Sequence, residues 1–250
     1  NNENYYNVTI LYPNGTAISN IYLSGYELNI SFPEYINISN YSREKLLYIY
    51  VNGLPYYNNS ISVVVEENLT IIPNYVLQYF VNISSPFQFF INNNTYYNFL
   101  GWITNGTEID IQWNGINYIS QDKRYYCNVT SKKIIIENYT NIDISNLCIL
   151  QYLVQINTNL PINLSINGET FKINGTYEDF INSGEEIYIE PAEYKFSSLF
   201  TYTIYYYPGN KFLVESPQTI DIVFNKKFGY NYLNIGILLV IVGIIIYILW

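Results

Sequence analysis

The chain has 250 residues, 49% apolar and 18% aromatic, with only 12% charged and a formal net charge of −9. That apolar content excludes an intrinsically disordered chain, and 11 scattered basic residues exclude the basic stripe of a nucleic-acid-binding surface. Histidine is absent, which removes the Ser- and Cys-based triads and leaves two cysteines as a poor metal site. The chain opens NNENYY and contains no Met, so a leading segment, a cleaved secretory signal, is expected to have been removed.

From the N-terminus the chain reads as short strands punctuated by turns. Tyr6-Asn-Val-Thr-Ile10 puts an aromatic, a valine and an isoleucine on one strand face, because side chains alternate across a strand. Asn14-Gly15 is a turn signal, since both residues tolerate positive φ. Gly25-Tyr-Glu-Leu-Asn-Ile-Ser31 then supplies a turn glycine, a Glu and two alternating aliphatics, the pattern of a half-buried strand. Arg43-Glu44-Lys45-Leu46-Leu47 comes nearest to helical periodicity and is too short for a helix. Asn52-Gly53 marks another turn, and Val65-Glu66 with Ile71 closes the phrase.

The same order returns twice. Tyr79-Phe-Val-Asn-Ile83 and Tyr152-Leu-Val-Gln-Ile156 follow the first aromatic strand at intervals of 73 residues. GTEIDIQ at 106–112 and GEEIYIE at 184–190 repeat the glycine phrase at 81 and 78 residues, and Ile136-Glu137 with Ile142 and Val214-Glu215 with Ile220 repeat the closing one. Further Asn-Gly turn signals stand at 105–106, 114–115, 167–168 and 174–175. The expected fold is therefore all-β: three tandem immunoglobulin-like β-sandwich domains at 1–76, 77–150 and 151–229, small closed barrels being the alternative. Leu77-Gln78-Tyr79 and Leu150-Gln151-Tyr152 match across the two junctions with no Gly/Ser linker between. The last strand of one unit is expected to run into the first of the next, giving a stiff stalk that reaches roughly 60–100 Å.

Few residues suggest chemistry. Cys127 and Cys148 are read as a disulfide, with two buried free thiols as the alternative. Trp102 and Trp113 are read as core before ligand platform, and Tyr205-Tyr206-Tyr207 as alternating strand faces. Glu66-Glu67 and Glu185-Glu186, with Glu190 and Glu193, offer oxygen ligands for Ca²⁺ at a domain junction, though without the spacing of a dedicated loop. No catalytic residue, metal site or cofactor is assigned, and the chain is read as a non-enzyme.

At the C-terminus, Leu233–Trp250 (LNIGILLVIVGIIIYILW) is uncharged, and as helix spans about 27 Å, close to the roughly 30 Å of a bilayer core. Phe228, Tyr230 and Tyr232 before it and Tyr247 and Trp250 within it suit the two interfaces, so residues 230–250 are expected to be a single-pass transmembrane anchor. Gly236 and Gly243, seven residues apart, offer a face for close helix packing. Lys226 and Lys227 before the anchor would place the N-terminal part inside by the positive-inside rule. The glycosylation acceptors oppose that: Asn7, Asn14, Asn29, Asn37, Asn40, Asn58, Asn68, Asn82, Asn93, Asn105, Asn128, Asn138, Asn163 and Asn174 each begin Asn-X-Ser/Thr. Random placement of the chain's Asn, Ser and Thr gives about four to five such triplets, a third of that number. The expected location is the cell membrane with the domains outside, glycosylated everywhere but the last 60 or so residues before the anchor.

Tandem β-sandwiches rich in Asn, Ile and Tyr, crowded acceptors and one C-terminal anchor resemble archaeal cell-surface glycoproteins of the Sulfolobales type, above all the small membrane-anchored stalk proteins of two-component surface layers (S-layers). The resemblance implies a structural, glycosylated stalk supporting a surface assembly. Its partners would be the membrane and other surface-layer or membrane proteins, met through the third domain. The layout departs from that family in one respect: Phe224 to Leu233 leaves no room for the coiled coil that precedes the anchor in its members, so a trimeric stalk is not implied. Two other functions fit the same layout, an accessory glycoprotein subunit of a membrane complex and an adhesin or viral envelope glycoprotein.

Overall fold

The computed structural model describes residues 3–250. It is mostly β-sheet, 66% strand, with one apolar α-helix at the C-terminus, Tyr232–Leu249. Two compact units divide the chain: one runs through Asn114 and adds Val129–Leu147, the other joins Gly115–Asn128 to Cys148–Trp250.

In the first unit a ten-stranded sheet is faced by a two-stranded one. Strand Tyr26–Ser31 pairs antiparallel with Ser60–Val65 and turns Leu28, Ile30, Ile61 and Val65 into a cluster with Val8, Ile10, Ile49, Val51, Leu69 and Ile71. The alternation after Gly25 is the cause, since Leu28 and Ile30 are buried while Glu27 and Asn29 are exposed. The second unit holds a seven-stranded sheet and a separate three-stranded one. Val154, Ile156, Ile162, Leu164, Ile187 and Ile189 pack there with Val214, Ile220 and Ile222.

The repeated phrases turn out to be paired surfaces. Strand Tyr5–Leu11 runs parallel to Leu69–Ile91 with Ile10 opposite Ile71. Leu69–Ile91 in turn runs parallel to Thr140–Asp143 with Ile83 opposite Ile142, and Ile149–Ile166 runs parallel to Gln218–Ile222 with Ile156 opposite Ile220. Each opening strand thus meets the isoleucine that closes its own phrase. The glycines are equivalent too: Gly25, Gly106 and Gly184 have φ of 86°, 82° and 85°. Their N–H groups donate to the carbonyls of Val65, Ile136 and Val214 at 2.8, 2.7 and 2.7 Å. Positive φ turns that N–H toward the closing strand, a conformation a side chain would strain.

The expected boundaries at 76/77 and 150/151 both fall inside strands. Leu69–Ile91 is a single strand of 23 residues, far beyond the usual length of about 3–10. Here the end of one phrase does run into the start of the next. At the second junction it does not, because a 3₁₀ turn at Ile144–Leu147, with Ile144 fully buried, precedes Ile149–Ile166. Both long strands shift register against their hairpin partners around a proline, Pro86 between Ser84 and Phe89 and Pro161 between Thr158 and Ile162. Proline has no N–H to give the ladder, so the pairing breaks there.

The turn signals need two corrections. Gly15, Gly53, Gly106 and Gly168 have positive φ, but Gly115 does not appear among the left-handed residues. Asn174-Gly175 lies inside strand Glu169–Asn182, opposite the Pro161 shift, and forms an irregularity in the ladder where a turn was expected. The left-handed pair between Leu69–Ile91 and Asn94–Thr104 is Asn92-Asn93, at φ 50° and 67°.

Candidate functional site

Two arginines fasten the long strands. Arg43 lies across from Gln78 in the ladder, and its Nε donates to Gln78 Oε1 at 2.9 Å. Its guanidinium sits 3.9 Å from the ring centre of Tyr35 and 4.4 Å from that of Trp102. Arg124 repeats the arrangement one phrase later. It lies across from Gln151, donates from Nε to Oε1 at 2.8 Å, and stacks 4.1 Å from Phe180 and 5.8 Å from Tyr118. Gln151 continues the chain by donating to Asn182 Oδ1 at 2.9 Å. Gln78 and Gln151 are buried, and a buried amide without a partner is costly, so each Gln depends on its arginine. Among the described residues no carboxylate lies within 4.0 Å of either guanidinium. The aromatic faces and the Gln take the carboxylate's place. The sequence reading missed both arginines, although the matching Leu-Gln-Tyr triplets marked their partners. Trp113 is core, as expected, whereas Trp102 is half-buried in the Arg43 stack and against Phe80.

Cys127 and Cys148 form a disulfide, with Cα atoms 4.3 Å apart. It ties hairpin Ile116–Ser120/Lys123–Tyr126 to the head of Ile149–Ile166, on which Lys123–Tyr126 already pairs. Closing 21 residues of chain contributes about 3 kcal/mol by restricting the unfolded state.

The acceptor asparagines are exposed, with one exception: Asn82 is half-buried and its Oδ1 is fully enclosed without a hydrogen bond. Asn163 Nδ2, the atom a glycan would occupy, donates to Glu190 Oε2 at 2.8 Å. Of the acidic residues considered for Ca²⁺, Glu190 thus has its own partner, and three others have theirs. Glu67 accepts from Asn52 at 3.4 Å, Glu185 from Asn182 at 2.6 Å, and Glu186 meets Lys211 at 3.0 Å. No group of three or more acidic, Cys or His side chains converges among the described residues.

No protein-family model, curated protein or solved structure matches this chain. Strands Ala192–Ser197, Thr201–Tyr207 and Asn225–Tyr230 form the three-stranded sheet, and the helix begins two residues after the last of them. Gly229 leaves room for the end of the Tyr202 ring, which would have to shift to admit a Cβ there. Register puts Phe196, Thr203 and Phe228 on one face with Tyr205, and Lys195, Ile204 and Lys227 on the other with Tyr206. The Tyr205–Tyr207 run is thus divided between two faces, as expected. A cavity of about 570 Å³ opens beside the first face, lined by Leu160, Phe196, Tyr205, Val223 and Phe224 among others. The helix is long and apolar enough to cross a membrane, and none of it is buried. Nothing lies within 4 Å of a Cβ placed at Gly236 or Gly243, so both are open to a neighbour.

Proposed function

We propose that the chain is a structural protein without catalytic activity: an N-glycosylated extracellular stalk, anchored in a membrane by its C-terminal helix, that supports a surface-layer-like assembly of the type it resembles. The observation that carries this reading is the pair of long strands, Leu69–Ile91 and Ile149–Ile166, each fastened at its buried Gln by a stacked arginine. A spacer must resist bending where its repeats meet, and these are the places where the Leu-Gln-Tyr triplets fall. On this reading the three phrases are three immunoglobulin-like sandwich modules. The exposed acceptors carry a hydrating sugar coat, and the disulfide belongs to an oxidising exterior.

The test is fractionation of source cells followed by glycopeptide mapping. The chain should leave the membrane only with detergent, co-extract with the surface lattice, and carry glycans at its exposed acceptors. Recovery in a soluble, unglycosylated fraction would overturn the reading. A second reading, an accessory subunit of a membrane complex, is favoured by one feature, the shallow notch on the helix bounded by Tyr232, Leu233, Gly236, Ile237, Val240 and Ile241. Co-purification with a multi-helix membrane protein in place of the lattice would select it.

A further inference from the structure

The run between Phe196 and Thr201, which joins two strands of the C-terminal sheet, is bound to the start of the helix. Phe200 O accepts from the backbone N–H of Asn231 at 2.7 Å, and Leu199 O accepts from the side-chain amide of Asn234 at 2.8 Å. Asn234 is the one polar residue of the apolar C-terminal run, and this hydrogen bond is what it does. At the edge of a bilayer its amide needs a protein partner, because lipid tails offer none.

The anchoring proposed above fixes the depth. A helix of 18 residues spans about 27 Å, slightly less than a hydrocarbon core of roughly 30 Å. It has no turn to spare, so residues 232–235 must lie at the boundary between tails and headgroups, and the two hydrogen bonds hold Leu199 and Phe200 at that level. The surroundings fit such a place. Leu199 is 67% exposed, an unfavourable state for a leucine in water, and Phe196, Phe228, Tyr230 and Tyr232 are exposed as well. From Tyr194 through Val214 the chain has no acidic residue, and Lys195, Lys226 and Lys227 stand on the same small sheet. No glycosylation acceptor follows Asn174, so no sugar obstructs contact with a lipid surface.

We propose that the Ser198–Phe200 turn is a second membrane-contact element, seated in the headgroup–acyl boundary beside the helix and set to that depth by Asn234. Leu199 enters the tails, the aromatic side chains occupy the interface, and the lysines meet lipid phosphates. A single helix leaves the attached sheet free to tilt on the bilayer. Two contacts, held together by hydrogen bonds, restrict that tilt.

The inference rests on the anchoring reading, and the experiment separates the two. Both native cysteines are in the disulfide, so an introduced cysteine is the sole free thiol. The full chain, as L199C, I241C or Y57C, is labelled with an environment-sensitive fluorophore and reconstituted into phosphatidylcholine–phosphatidylglycerol vesicles. Quenching by iodide is compared with quenching by lipids doxylated at shallow and deep positions. Expected are blue-shifted emission at position 199 with strongest quenching by the shallow lipid, deep quenching at 241, and quenching at 57 by iodide alone. A water-exposed label at 199 with a deep label at 241 would overturn the second contact and leave the anchor standing. A water-exposed label at 241 would overturn the anchor, and this proposal with it. In the N234L background, position 199 should move toward iodide. An unchanged depth there would overturn the positioning role of Asn234.

Discussion

Replacing Arg43 with alanine tests whether the stacked arginines stiffen the long strands. The substitution removes two cation–π contacts, at 3.9 and 4.4 Å, and strands the carbonyl of Gln78, which is only 7% exposed. Each contact is worth about 0.5–2 kcal/mol and the orphaned amide about 1–3 kcal/mol, so the loss is roughly 2–7 kcal/mol. Arg43→Lys keeps the charge without the planar fork and should recover a minor part. Gln78→Leu removes the group that needs satisfying, so the double variant R43A/Q78L should lose less than the sum of the single losses. The assay is native-state hydrogen exchange on the full chain, because a molecule of two units need not unfold in one step. Amides from Val76 to Val81 should lose protection in R43A while those near Ile10 and Ile71 keep theirs. Unchanged exchange in that strand, or full recovery by lysine, would refute the claim that stacking and the Gln hydrogen bond fasten it.

Four other measurements follow from the same geometry. C127A/C148A should lose about 3 kcal/mol in denaturant, with early exchange in residues 116–126, which the disulfide ties to Ile149–Ile166. Ile156→Ala, at a fully buried position facing Ile220, should lose about 2–5 kcal/mol by the same assay. Burial, with the charge and hydrogen bond of Asp179 adding to it, pushes the Tyr177 phenol up from 10.0 to about 12. Its neutral form is the one the fold favours, so its contribution is complete below pH 10 and lost as pH rises toward 12, and Tyr177→Phe should abolish that part of the alkaline loss in an ultraviolet difference titration. Glycopeptide mapping should find Asn82 the least occupied acceptor, because its side chain is half-buried, and exposed Asn93 and Asn105 modified.

What could be seen in the sequence, and what could not, divides by the range of the interaction. Gly25, Gly106 and Gly184 were legible because one residue carries the whole constraint, a positive φ at the head of an alternating strand. Ile71, Ile142 and Ile220 were legible as markers, and so were Ile10, Ile83 and Ile156, but not that the two sets pair, since parallel pairing across more than fifty residues leaves no local trace. Arg43 is the extreme case. Read in its neighbourhood it belongs to a charged stretch, and only the ladder brings Gln78 across from it and Trp102 onto its face. Asn174-Gly175 misled for the complementary reason: the dipeptide permits a turn without requiring one, and the register shift opposite Pro161 uses the same positive φ inside a strand. The functional reading stands on both kinds of residue. The acceptors and the apolar helix are local signals that say where the chain would reside. The arginine stacks and the Asn234–Leu199 bond are long-range contacts, set only once the fold brings Arg43, Arg124 and Asn234 to their partners.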